Sequence, residues 1–397
     1  MRSFVVALGA AIALTVSPAV AHAASARPQG SSTASAYDFL DLMMDKYASG
    51  HVLRLVQSFQ PQPALDYTAS VTYDDALVID AYLARGRPGD VRRATVIGDA
   101  LLFVQTNDVE QDGRLRAAYA PTPLRSPARI KVVNATTTVG SLAWAGMALT
   151  RLRARTGNDA YLDGALAIGN WIQDHAADTR GAGGYTGGAR ADGTSIQWKS
   201  TEHNIDAYAL FEMLASATGD PIWSTRANAA LTFVQSMWEP THGRFFTGTE
   251  DDGVTVNDTL RPEDVNSWSY LALQAPEYEH ALDWDRVHLA AKADGFDGVS
   301  FCQGDRSGVW FEGTAHLALA FALRGSTADA AHAQRYLATI RRAQVSGLNA
   351  DGRGIIAASK DGLGDCGGDG YDASLHTGAT AWYLLAARGV NPFIAAL

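Results

Sequence analysis

Residues 197–211, QWKSTEHNIDAYALF, hold the reading on which the fold turns. A helix begins near Thr201 and carries Glu202, His203, Asn204 and Asp206 within its first six residues. Ile205, Ala207, Tyr208, Leu210 and Phe211 leave it no polar face further along. A surface helix keeps a polar stripe. A helix buried on both sides does not, and polar groups at its start then need a purpose.

Five other stretches share this composition: TYDDALVIDAYLA from Thr72, TVGSLAWAGMALTRL from Thr138, DVNSWSYLALQ from Asp264, EGTAHLALAFAL from Glu312 and HTGATAWYLLAA from His376. Between them lie amphipathic helices such as DAYLDGALAIGNWIQDH and PIWSTRANAALTFVQSMW, and ASAYDFLDLMMDKYA precedes the first apolar stretch. The apolar starts recur at roughly sixty residues, with one shorter step before Glu312, a spacing that marks an internal repeat. Six buried helices alternating with six amphipathic ones predict two concentric rings. The expected fold is all-α: a single (α/α)6 toroid over residues 36–397, preceded by a flexible linker at 24–35. All inner helices then point the same way, and the long Gly- and Asp-rich loops enter them on one rim, where irregular loops usually carry function.

The chain has 397 residues, 47% hydrophobic, with a net charge of -10, which disfavours nucleic acid and anionic membranes as partners. Residues 1–23, MRSFVVALGAAIALTVSPAVAHA, read as a cleavable export signal: Arg2, an apolar run, then Ala21-His22-Ala23. A secreted or periplasmic monomer, free of the membrane after cleavage, is expected. Cys302 and Cys366 are either a disulfide or two thiols. No G-x-S-x-G, H-E-x-x-H, P-loop or dinucleotide motif occurs, so no cofactor and no metal is expected. The loop with Asp361, Asp365 and Asp369 lacks the EF-hand pattern and reads as an acidic turn.

Acidic and aromatic residues gather where the loops enter the inner helices. Asp74, Glu263 and Asp372 read as helix caps, Asp264 as a rim residue suited to serve as a control, and Asp251 and Asp252 as a solvated loop. Glu202 and Asp206 stand one turn apart on one face, and Glu312 sits between aromatics and a Gly-Thr helix start. Glu202, Glu312, Asp75 and Asp206 are the catalytic candidates, with Glu202 as proton donor, Glu312 or Asp75 as its partner and Asp206 tuning Glu202. Trp198, Lys199, His203, Tyr73, Trp268, Trp310, Tyr371 and His376 are the expected substrate-binding residues. Two carboxyl groups across an aromatic cleft suit glycosidic bond cleavage, one protonated and one ionised.

The six-pair pattern with carboxylates at inner-helix starts resembles the six-hairpin glycosidase superfamily, which includes inverting endoglucanases, β-1,2-glucanases and unsaturated glucuronyl hydrolases. STEHNIDAYALFEMLASATGDP, GVWFEGTAHLALAF and HTGATAWYLLAARGVNPF also resemble segments of a bacterial group of secreted toroid proteins, mostly uncharacterised. The resemblance implies a glycoside hydrolase acting on a polysaccharide or oligosaccharide. Two alternatives stand beside it. A polysaccharide lyase would use His203 or Tyr208 as base and Lys199 or Arg261 to neutralise a uronate. A non-catalytic glycan-binding toroid would need the aromatics alone.

Overall fold

The computed structural model describes residues 29–50, 52–60, 68–364, 366 and 370–394. The export signal therefore lies outside the described residues, as do Asp365 and Asp369. Twelve α-helices are described: α1 Gln29–Asp45, α2 Thr72–Arg85, α3 Pro88–Thr106, α4 Val139–Thr156, α5 Asp159–Ala176, α6 Thr201–Thr218, α7 Pro221–Ser236, α8 Asp264–Leu273, α9 Glu279–His288, α10 Phe311–Arg324, α11 Thr327–Ser346 and α12 Thr377–Arg388. The even-numbered helices pack in order, α2 on α4, α4 on α6, and so on, until α12 returns to α2. That is a closed inner ring. The odd-numbered helices lie outside it: α5 covers α4 and α6, α9 covers α8 and α10, and α1 covers α12. The expected (α/α)6 toroid is the observed fold. None of the described helices is long and apolar enough to cross a membrane.

Sequence explains how each pair turns. Five inner helices end on a glycine in the left-handed region, namely Gly86, Gly157, Gly219, Gly325 and Gly389. The left-handed residue stops the helix and reverses the chain at little steric cost. The first four lead into the next outer helix within two residues, as Gly219-Asp220 does before α7.

The opposite rim is held by a belt of short antiparallel pairings. The residue just before each inner helix, or close to it, pairs with the following entry loop: Val71 with Ala118, Thr138 with Gly188, Ser200 with Gly248, Pro262 with Cys302, and Trp310 with Ala358. His376 pairs back to Phe59 and closes the belt. Gly248 must be glycine here: its φ is 146°, and a Cβ would fall within van der Waals contact of the Lys199 carbonyl.

A second device repeats inside the ring. Counting Glu263, whose backbone is helical, as the first residue of its helix, the fourth helical position of five inner helices accepts a backbone N–H from its own entry loop. Asp75 accepts from Val56, Asn204 from Tyr185, Asn266 from Phe245, Thr314 from Val299 and Thr380 from Ile355, at 2.8–3.2 Å. These clamps fix loop to helix.

Two expectations change. Residues 29–35 are not linker but the first turns of α1: Ser32 is 1% exposed and its hydroxyl bonds Gln344 and Tyr383. The small residues that look like a spacer let α1 pack closely on α11 and α12. Asp75, a catalytic candidate, is one of the clamps. Its second oxygen accepts from Ser70 at 2.7 Å, and the residue is fully buried.

Candidate active site

Aligning the inner helices on the clamp exposes two layers that face the axis. The second helical positions are Tyr73, Gly140, Glu202, Asp264, Glu312 and Gly378. One turn below, at the sixth, stand Leu77, Trp144, Asp206, Trp268, His316 and Trp382. A step of four residues keeps both layers on one helix face.

The lower layer closes the axis. Trp144, Trp268 and Trp382 come from alternate helices, yet their rings meet at 5.3, 5.7 and 6.0 Å. Phe393, from the segment after α12, lies against all three. Beneath, Arg151 pairs with Asp80 at 2.8 Å and donates to the carbonyls of Pro392 and Ile394. The site is therefore a well with an indole floor. Trp382 Nε1 donates to the Tyr73 hydroxyl at 2.7 Å and Trp268 Nε1 to His316 Nδ1 at 3.1 Å. The Trp144 indole faces Asp206, with no well-formed bond between them.

The upper layer holds three carboxyl groups on consecutive inner helices: Glu202, Asp264 and Glu312. Glu202 is half-buried, and none of the described residues donates a hydrogen bond to its carboxyl group. Burial pushes it well above the usual carboxylate range, and the charges of Asp264 and Glu312 push it further. Asp264 rises to about 8, through burial first and then Glu263 and Glu312. It stands in the well between the two glutamates, so it is a member of the site and not the rim control suggested by its place at a helix start. Asp206 lies below Glu202 with neither oxygen well hydrogen-bonded, and burial, Glu202 and Asp264 all raise it.

Glu312 has a different setting. Tyr73 donates to Oε1 at 2.7 Å. His376 Nδ1 lies 3.5 Å from Oε2, and His316 Nε2 lies 3.9 Å from Oε1. Burial raises Glu312, while His376, His316 and the Tyr73 hydroxyl oppose it. Each imidazole has a carboxyl group behind it. Asp74 is 3.2 Å from His376 Nε2, and Glu263 is 2.9 Å from His316 Nδ1. Asp74 and Glu263, expected to be helix caps, are the second members of these pairs.

The two glycines in the layer make room for imidazoles. A Cβ on Gly140 would meet the His203 ring at 2.6 Å, and one on Gly378 would meet Asp74 at 2.5 Å and His376 at 2.8 Å. His203 is half-buried beside Trp198, 5.6 Å between rings, and burial lowers its imidazole to about 4, so it is neutral at pH 7.

The remaining expected binding residues divide. Tyr73, Trp198 and Tyr371 are half-buried at the mouth or rim. Trp268 and Trp310 are 3% and 2% exposed, the first in the floor, the second behind Phe301 and Tyr371. Lys199 is turned away from the well. Its Nζ donates to the carbonyls of Arg180 and Gly183 and pairs with Asp178 at 3.3 Å, so it braces an entry loop. Cys302 and Cys366 form a disulfide with Cα atoms 5.6 Å apart, joining the entry loops of α10 and α12. Among the described residues no cluster has the geometry of a metal site. Trp144, Trp382 and His316 were missed as site residues. Their signal was the spacing of four from each second position, visible only once the six helices are aligned.

Neither a family profile nor a curated protein sequence matches the chain. Solved structures do. A D-mannose isomerase superposes with a TM-score of 0.66 at 12% identity, covering 91% of this chain and 96% of its own. A cellobiose 2-epimerase from Bacillus thermoamylovorans gives 0.67 at 10% identity over 90% and 98%. A family 76 glycoside hydrolase from a bovine Bacteroides thetaiotaomicron strain gives 0.61 at 10% identity over 90% and 77%. These neighbours are six-hairpin toroids, and the chain has the fold that they share.

Proposed function

We propose that the protein is a carbohydrate-active enzyme, and within that class a glycoside hydrolase acting on a polysaccharide or oligosaccharide. The observation that carries this reading is the unequal setting of two glutamates at one level of the well. Among the described residues none donates a hydrogen bond to Glu202, and the charges of two carboxyl groups, Asp264 and Glu312, bear on it. Glu312 faces a hydroxyl and two imidazoles. Environments that push two carboxyl groups apart assign one as acid and one as base. Glu202 gives its proton to the leaving glycosidic oxygen as the bond from the anomeric carbon breaks. Glu312 takes a proton from the water whose oxygen bonds that carbon. Burial first, and the charge of Glu312 with it, keep Glu202 protonated. The reading needs no cofactor. The signal-like stretch at 1–23 supports a reading in which the enzyme acts outside the cytoplasm, as a monomer meeting a glycan.

The lyase reading loses its cation, because Lys199 is committed to a loop and Arg261 to Gln303 and Asp258. A sugar epimerase or isomerase is the second reading. Its support is the neutral imidazole of His203 at the mouth, together with a fold shared with a D-mannose isomerase and a cellobiose 2-epimerase.

Incubation with a glycan panel in deuterated water tests these readings together. The hydrolase releases new reducing ends. An epimerase leaves the chain length unchanged and places deuterium on carbon. A lyase product absorbs in the ultraviolet. Deuterium on carbon without new reducing ends would overturn the hydrolase.

A further inference from the structure

Glu312 is the most heavily attended side chain in the well, and the partner that matters most is His376. This imidazole is 4% exposed and lies face to face with Phe59, 4.3 Å between rings and 2° between planes. Its Nε2 addresses Asp74 at 3.2 Å. Its Nδ1 lies between two groups: the backbone N–H of Ala379 at 3.3 Å, which it caps when neutral, and Glu312 Oε2 at 3.5 Å, to which it donates when protonated. The ring therefore chooses between capping α12 and holding Glu312. A carboxylate on each side, with an aromatic face beneath, favours the cation.

His316, on the other side of Glu312, contrasts with it. The Trp268 indole is a donor only, so Nδ1 of His316 accepts. The proton of the neutral ring then sits on Nε2, facing Glu312 at 3.9 Å. Glu263 lies 2.9 Å from the same Nδ1, and burial favours its protonated form. Burial lowers His316 to about 3. Burial also works against charge on His376, but Asp74 and Glu312 outweigh it and raise that imidazole above its ordinary value. The titratable groups around Glu312 are Tyr73 and Asp74 from α2, Glu202 from α6, Glu263 and Asp264 from α8, His316 on its own helix, and His376. His376 is the one poised to be positive.

We propose that Asp74 and His376 form a positioning pair that supplies Glu312 with a cationic hydrogen-bond donor, holding it as the ionised partner of Glu202. The pair acts through Glu312 and does not itself touch substrate. This rests on the hydrolase reading for its catalytic meaning, but not for its electrostatics.

His376→Asn separates the two jobs, because the asparagine oxygen can still cap Ala379 while the positive charge is gone. Asp74→Asn keeps the shape and removes the charge that sustains the cation, and it serves if the first variant fails to fold. The direct reading is carbon-13 NMR of glutamate carboxyl groups across a pH titration, with Glu312→Gln to identify the signal. The Glu312 midpoint should move up in His376→Asn; in Asp74→Asn the His376 ring midpoint should move down, while the loss of Asp74's own charge offsets the rise at Glu312. With a substrate in hand, the acid limb of kcat/KM should move to higher pH in His376→Asn while KM at the plateau holds. An unmoved Glu312 midpoint in folded His376→Asn, or an unmoved His376 midpoint in folded Asp74→Asn, overturns the proposal. A moved midpoint in a protein that cleaves no glycan supports the pair and sinks the hydrolase instead.

Discussion

Replacing Glu202 by glutamine should separate chemistry from architecture in one residue. Glutamine keeps the shape but has no proton to give. Loss of a general acid lowers turnover by about 10²–10⁴-fold, or about 2.7–5.4 kcal/mol of barrier. The fold should lose nothing, because no described residue donates a hydrogen bond to this carboxyl group. The sign of the stability change follows from linkage. Burial, with Asp264 and Glu312, raises Glu202 in the folded state. A raised carboxyl binds its proton more tightly folded than unfolded. Its contribution is whole below the unfolded value and is lost as pH rises through the folded one. At pH 7.5 the wild type bears that loss and the glutamine variant does not. The variant should therefore melt at the same or a higher temperature at pH 7.5, with the gap closing toward the ordinary glutamate value near ~4.3. Melting curves at pH 5 and 7.5, beside initial rates on the same preparations, make the assay. Near-normal turnover, or a lower melting temperature at pH 7.5, would refute the reasoning.

Other outcomes follow from neighbouring features. Asp264, at about 8 in the folded state, should make stability fall as pH rises from the ordinary aspartate value to about 8, and Asp264→Asn should flatten that slope; equal slopes in melting temperature count against it. Arg151→Met strands Asp80 and two tail carbonyls and should cost about 3–5 kcal/mol in urea unfolding, where a loss below ~1 kcal/mol would contradict a buried pair. Removing both Cys302 and Cys366 opens a span of 64 residues and should cost up to about 4 kcal/mol, with reductant then having no further effect on melting. Lys199→Met should lower the melting temperature without raising KM, because the ammonium braces the loop around Gly183.

The ring was legible because burial on both sides leaves a plain mark. Helices such as HTGATAWYLLAA have no polar stripe, and a repeat of six closes on itself. Glu202 and Glu312 were legible for the same reason: a carboxyl group in such a helix has few places to go. What failed was direction. Asp75 stands two residues beyond Tyr73, and that step of about 200° turns it off the axis toward its own entry loop, where Val56 and Ser70 claim it. Lys199 is neighbour to a rim tryptophan, but its stem runs the other way and its ammonium meets carbonyls sixteen and nineteen residues back. Asp264 hid behind Glu263: with two acids at one helix start, only the backbone tells which begins the helix and which faces inward. The α1 start was misread because serine and alanine look alike in a spacer and in a tight helix contact.

The closing pair of the ring has a consequence for the order of folding. His376 meets Asp74 across 302 residues, Ser32 meets Tyr383 across 351, and α12 touches both α2 and α10. The last inner helix is thus the keystone. Until it docks, Glu312 lacks one of its two imidazoles, Tyr73 lacks its indole donor, and the floor lacks Trp382. Contacts so distant in sequence form late, after costly loop closure. A chain in which α12 has not docked therefore holds an incomplete well, and competence waits on the closing of the circle.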